Sequence, residues 1–398
     1  MSKQFAEIAR EVLSLDEIEG SINLSKGVPA EQLIDTELIQ EVTQEILRNN
    51  ELFNQTLSYS IPDGYADLRA LFLERFKETK IEEPACLITA GAQGAIDLIG
   101  KKINKDESIA NHIIVENPTY TGTILSLEHT YNIQVSSFEL LPEFCEHSFE
   151  FCVKSSRSSF IYLIPHNQNP TGKSYSEQEK EKIVNIARKY NKIIIEDDPY
   201  SEIRFTNAPC KKIHEIYENT IYIGTVSKTI SPGLRVGYIV ANSELINELK
   251  TLQLLANINN NVFSQIQTYL ILKHELFDEK QKEKLEIYKE KKNEMIEAIK
   301  KHFPSSIKYA NPDGGFFIWL ELPELLDGEE IYEDCMQQNL GIFPGHIFCT
   351  DLDKPKNYIR LSYSTATIEE IKEGIRKLGV IIQKRLENLE VINIKRAI

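Results

Sequence analysis

Residues able to do chemistry crowd one stretch, "IGTVSKTISPGLRVGY", Ile223 to Tyr238. Lys228 carries an amine that, once neutral, bonds covalently to a carbonyl carbon. Thr225 and Ser227 add hydroxyl donors, and Arg235 adds a fixed positive charge. Hydroxyls and a guanidinium around one lysine suit an anion such as phosphate. The same residues also suit a plain surface turn, so partners elsewhere in the chain must decide.

Candidates for those partners follow apolar runs. "TAGAQGAID" is a glycine turn opening a helix, and the backbone N–H groups of Gly91, Ala92 and Gln93 there suit a phosphate. Asp197 follows the run Ile193–Glu196 and could pair with a protonated ring nitrogen or cap a loop. Tyr200, just past Pro199, could aim its hydroxyl back at the same place. Asn169 in "QNPTG" could donate a side-chain amide or close its own turn. Tyr120 could cover an aromatic ring or pack in a core. A phosphate cup, a ring-nitrogen carboxylate, donors for a ring oxygen, a stacking aromatic and one lysine together describe pyridoxal 5′-phosphate. Lys228 would hold it as a Schiff base, and Asp197 would keep its ring nitrogen protonated.

These groups need a scaffold that gathers strand ends. From about Thr89, continuous apolar runs alternate with helical stretches: "CLIT", "HIIV", "FIYLIP", "KIIIE", "TIYIGTV" and "VGYIVA". That pattern predicts an α/β fold with a mostly parallel sheet covered on both faces, and ligands bind beyond the carboxyl ends of such strands. Residues 1–20 read as an amphipathic helix, and Asp35 or Thr36 caps a helix to about Asn49. Further helices are predicted from about Ser176 to Lys189, Phe277 to Lys301, Gly328 to Asn339 and Ile368 to Asn388. The Lys/Glu run of the second of these reads as a solvated face. Three parts are expected: an N-terminal arm over 1–50 that shares in a small domain, a large α/β domain over 51–295, and a small α+β domain over 296–398.

The chain has 398 residues and a formal charge of −15. A nucleic-acid binder carries a basic face, so this balance argues against that class. No stretch approaches the roughly 20 apolar residues of a membrane span, and the charged N-terminus lacks the apolar run of a signal peptide. Six cysteines show no metal-ligand spacing and read as buried thiols of a cytoplasmic protein.

Taken as a set, "LSKGVPA", "YSIPDGYADLR", "ITAGAQGAID", "ENPTY", "QNPTG", "EDDPYSEIRF", "GTVSKTISPGLRVGY", "NPDGGFFIWL" and "NYIRLSYS" span nearly the whole chain. They resemble fold-type I pyridoxal-phosphate-dependent aminotransferases of class I/II, nearest the α-aminoadipate and kynurenine (multi-substrate) branch. The resemblance implies an aspartate-aminotransferase-like fold, with a seven-stranded sheet in the large domain. It implies that Lys228 is the Schiff-base lysine and proton carrier, and that Asp197 meets the pyridine nitrogen. It gives Asn169 and Tyr200 the ring hydroxyl, and Tyr120 the stacking role. Gly91, Ala92, Gln93, Thr225, Ser227 and Arg235 take the phosphate. Arg360 takes the substrate α-carboxylate, with Asn169 nearby, and Gly27 lines the entrance. Tyr59 reaches the phosphate of a neighbouring subunit, which implies a homodimer with shared sites. Two positions depart from the pattern: Lys26 stands where relatives carry glycine, and Ala92 where a serine often contacts phosphate.

The expected function is transamination from an L-amino acid to a 2-oxo acid, 2-oxoglutarate above all, with no metal, nucleic acid or membrane partner. The alternative on the same fold is a pyridoxal-phosphate lyase or synthase, which Arg360 does not exclude. A regulator fusing this fold to a winged helix is a second alternative. The aminotransferase pattern begins by about residue 21, which leaves too few residues before it for such a domain.

Overall fold

The apolar runs become neighbouring strands in the computed structural model, which describes residues 2–105, 110–141, 143–208, 210–350 and 356–397. The strands are β1 (Pro84–Thr89), β2 (His112–Asn117), β3 (Gln134–Glu139), β4 (Phe160–Leu163), β5 (Ile193–Asp197), β6 (Thr220–Thr225) and β7 (Gly237–Asn242). Their spatial order is β1-β7-β6-β5-β4-β2-β3. β7 runs antiparallel to its neighbours β1 and β6, and all other pairs are parallel. β3 is an edge strand whose "QVSSFE" is mostly half-buried or exposed, so it lacks the apolar run that marks the others.

Alternate residues of each strand feed different layers. Tyr162 and Ile195 pack with Ile96 and Ile99 of the helix Gly91–Lys105. Ile161 and Ile194 pack on the other side with Ile183 and Ala187 of the helix Glu177–Lys189. Burial on both faces is why these strands read as unbroken apolar runs.

Helix ends follow local chemistry. Asp35 caps Thr36–Arg48 by accepting from Leu38 N–H at 3.0 Å. Ser176 is extended and caps Glu177–Lys189 in a reciprocal box with Glu179, so the helix begins one residue later than predicted. The predicted Gly328–Asn339 helix ends at Met336, and the last helix runs past Asn388 to Ala397. In the helix Phe277–His302 the Lys/Glu run is only partly solvated. Lys291 and Lys292 are buried, donating to Ser364 O at 3.2 Å and Asn311 Oδ1 at 2.8 Å. Their long stems cover apolar surface while the ammonium finds an acceptor.

A second, antiparallel sheet has the order β10-β11-β9-β8, from β8 (Lys308–Tyr309), β9 (Phe317–Glu321), β10 (Phe343–Pro344) and β11 (Tyr358–Ser362). The N-terminal segment joins this part of the chain. Ile22–Asn23 pairs in parallel with Leu340–Gly341, and Ser362 N–H donates to Leu24 O at 2.7 Å. Ile22, Leu24, Ile318, Leu361 and Ile375 share one core. No disulfide joins the cysteines; Cys86, Cys335 and Cys349 are buried, but Cys145 is exposed, contrary to the expectation of buried thiols throughout. Among the described residues no helix is long and apolar enough to cross a membrane.

Candidate active site

The loops after β1, β2, β4, β5 and β6 converge at the carboxyl edge of the large sheet, opposite β11. Together they enclose a cavity of about 320 Å³. Gly27, Ala92, Gln93, Tyr120, Asn169, Asp197, Tyr200, Thr225, Ser227, Lys228, Arg235 and Arg360 all line it. Gly91 is not among the lining residues, although it lies against Arg235, and Tyr59 lies elsewhere.

Lys228 Nζ donates to the Gly27 carbonyl at 2.8 Å and lies 5.8 Å from the centre of the Tyr200 ring. Burial lowers its pKa to about 8, with Arg360 and Arg235 pushing the same way. A buried amine near neutrality is prepared for covalent work on a carbonyl.

Asp197 ends β5 with its carboxylate buried. Oδ2 accepts from the Tyr162 hydroxyl, and Oδ1 has no partner among the described residues. Burial raises its pKa to about 7, against the Tyr162 bond. Asp198 faces away and is fully engaged. It accepts from Lys212 at 2.9 Å, the Tyr222 hydroxyl at 2.8 Å and Ser201 N–H at 3.1 Å, and His166 Nδ1 lies 3.3 Å away. Despite burial, Lys212 and His166 hold its pKa well below the usual range.

Arg360 stands on β11 with its guanidinium ringed by Phe317, Phe343 and Phe348, whose centres lie 4.4, 4.8 and 4.7 Å away. Register explains part of this, since Phe343 pairs directly with Arg360 across the sheet. The guanidinium donates to Asn169 Oδ1 at 2.8 Å and Ser25 O at 2.5 Å, and Nε has no partner among the described residues. Burial lowers its pKa to about 9. A buried cation with no ion pair to a carboxylate among the described residues calls for an anion. Because Arg360 occupies Asn169 Oδ1, the amide Nδ2 is left to donate.

The cup is built by two turns held together. Gly91 opens its helix at φ +74°, and a Cβ there would come within 2.5 Å of Arg235 Nη2. Gly237 at the start of β7 presses on Gly91, where a Cβ would meet backbone at 2.4 Å. Arg235 is itself left-handed, at φ +53°, and donates to Ala90 O at 3.1 Å. Thr225 Oγ1 and Ser227 Oγ lie 2.9 Å apart beside the free helix N–H groups. These features, with the unpartnered Asp197 oxygen and the neutral-leaning Lys228, fit pyridoxal 5′-phosphate.

Tyr59 is 84% exposed, in a separate surface depression with Ser58 and Tyr65. Lys26 pairs with Asp16. Several residues that shape the cavity carry no sequence signal. Glu116 accepts from Ile164 N–H and Gln168 Nε2, both at 3.2 Å, and so holds the Asn169 turn. Tyr162, Thr123 and the three phenylalanines read as ordinary core. Strand register between "FIYLIP" and "KIIIE" is the one signal that could have flagged Tyr162.

The family described as aminotransferase class I and II matches residues 19–378. The chain belongs to this family. It is 33% identical to the 2-aminoadipate transaminase of Thermus thermophilus, over 94% of this chain and 93% of that protein. It is 30% identical to aromatic-amino-acid aminotransferase 1 of Thermococcus litoralis, over 95% and 92%. The kynurenine aminotransferase of Pyrococcus horikoshii, solved with PMP, superposes with a TM-score of 0.88 at 28% identity, covering 95% of this chain and 94% of that one. This aminotransferase is therefore of fold type I, in the aminoadipate and kynurenine branch, and depends on pyridoxal 5′-phosphate.

Proposed function

We propose that this aminotransferase carries its cofactor on Lys228 and passes the amino group of an L-amino acid to 2-oxoglutarate. The carrying observation is that Lys228, Asp197 and Arg360 border one cavity, where Asp197 Oδ1 and Arg360 Nε have no partner among the described residues. When bound, pyridoxal 5′-phosphate supplies a carbonyl carbon for amines and a ring that draws electrons from the substrate Cα. Lys228, its pKa lowered to about 8, would carry the proton between the substrate Cα and the cofactor's C4′ carbon. Asp197 Oδ1 would accept the ring N–H. Asn169 Nδ2 and the Tyr200 hydroxyl would hold the ring oxygen, and Tyr120 would cover the ring. Gly91, Ala92, Gln93, Thr225, Ser227 and Arg235 would bind the phosphate. Arg360 binds the α-carboxylate as a bidentate pair, with Gly27 at the entrance. Likeness to a 2-aminoadipate transaminase supports a dicarboxylic acceptor.

The same reading includes a homodimer in which Tyr59 reaches the partner's phosphate. Supporting it, Leu57, Tyr59 and Ile61 are exposed by 70, 84 and 53%, and Leu255 by 73%. The two stretches are tied by Ser60 N–H donating to Asn259 at 3.2 Å. Exposed apolar residues grouped in this way are what a face covered by a partner presents. A division near residues 50 and 295, and a cytoplasmic location supported by cysteines without disulfides, complete the proposal.

Borohydride reduction and peptide mapping test it: a phosphopyridoxyl group should sit on Lys228. Label on another lysine overturns the assignment. Amino donors screened against 2-oxoglutarate, with product mass measured, then identify the substrate.

A further inference from the structure

We propose that Tyr162 is a positioning residue for this reaction: its hydroxyl, supplied by Thr123, commits Asp197 Oδ2 and so presents Oδ1 to the cofactor's ring nitrogen. The inference rests on Asp197 being the ring-nitrogen carboxylate.

Strand register places the two residues. Tyr162 on β4 pairs with Ile195 on β5, so Asp197, two residues on, is its diagonal neighbour on the same face. The Tyr162 hydroxyl contacts Asp197 Oδ2, and Thr123 Oγ1 lies 3.0 Å from the same hydroxyl. Tyr162 and Thr123 are both buried. An ionised carboxylate has no proton to give, so Tyr162 must donate to it. The Tyr162 oxygen then accepts the Thr123 proton. The order Thr123 to Tyr162 to Asp197 is thereby fixed in one direction. It leaves Oδ1 as the unspent acceptor.

The order also governs charge. Burial pushes Asp197 up to about 7, and the Tyr162 bond is the largest influence against it. Asp198 pushes upward and Lys228 downward. Tyr120 and Tyr200 face the carboxylate from the cavity side, and Glu116 acts on Tyr162. Without the hydroxyl, the largest influence favouring the ionised form of Asp197 is gone, and the balance moves towards the protonated form. A protonated Asp197 no longer keeps the ring nitrogen charged, and the ring draws electrons less well.

Tyr162→Phe keeps the ring packing and removes the hydroxyl. Enzyme loaded with cofactor 15N-labelled at the ring nitrogen should show, by NMR, a protonated nitrogen across pH 6–9 in wild type. In Tyr162→Phe that nitrogen should lose its proton within the same range. Loss of one hydrogen bond to a charged group should also raise the cofactor dissociation constant and lower kcat by about tenfold each, with KM for the amino acid little changed. Thr123→Val, which keeps Tyr162, should shift the nitrogen titration in the same direction by less, and carries the test if Tyr162→Phe does not fold. Variants with wild-type nitrogen titration would overturn the role of Tyr162 while leaving the aminotransferase reading intact. A wild-type nitrogen without its proton would overturn the assignment of Asp197, and this proposal with it.

Discussion

Asp197 and Asp198 are consecutive residues that face opposite sides of the large sheet. Asp197 borders the cavity with one oxygen unpartnered, whereas Asp198 is locked by Lys212, Tyr222 and Ser201. Their alanine variants should therefore fail in different ways. Asp197→Ala should fold, retain a wild-type melting temperature and lose most activity. Asp198→Ala strands buried positive charge, which costs about 3–5 kcal/mol, so its melting temperature should fall. Thermal unfolding and activity measured side by side check this. An Asp198→Ala protein as stable as wild type but inactive would show that the strand register has been misassigned.

Cofactor loading should depend on the charge of Lys228. Its pKa falls from 10.5 to about 8, chiefly through burial. Protonation occupies the lone pair that attacks the carbonyl, so loading is slow below the pKa and fast above it. The rate should climb about tenfold per pH unit below 8 and level off above. Stopped-flow absorbance of apo-enzyme mixed with cofactor from pH 6 to 10 reads this directly. A rate still climbing tenfold per pH unit up to pH 10, as for an exposed lysine, would contradict it.

Shared sites predict rescue between two dead proteins. Lys228→Ala and Tyr59→Arg should each be inactive alone. After subunit exchange, half the dimers are mixed, and each carries one site with both lesions and one with neither. Activity should return to at most about a quarter of wild type. Confirmed exchange with no recovery would place Tyr59 outside its partner's site.

Much of this was legible because buried parallel strands leave a plain trace. "FIYLIP" and "KIIIE" are apolar throughout, and the polar residues after them had to collect at one edge. The Ser176–Glu179 box and the Asp35 cap are local chemistry and read from a few residues. What escaped depends on register and on crossing between sheets. Tyr162 looks like any core aromatic until β4 and β5 are aligned. Phe343, opposite Arg360, and Phe317, its diagonal neighbour on β9, join the wall around Arg360 through strand pairing, while Phe348 arrives from another segment. β3, half-buried and rich in serine, has no apolar run to betray it. Lys291 and Lys292 carry the composition of a wet helix face, yet distant segments at Ser364 and Asn311 supply their acceptors.

Arg360 hydrogen-bonds residues 335 and 191 positions away, Ser25 and Asn169. Loops that long close late, because their entropy is lost before any contact rewards it. The large sheet needs none of residues 1–83 for its strands. A nascent or partly folded chain would thus own the cofactor cup before it owns the carboxylate clamp. Competence to bind cofactor and competence to turn over an amino acid would arise at different moments in the life of the chain.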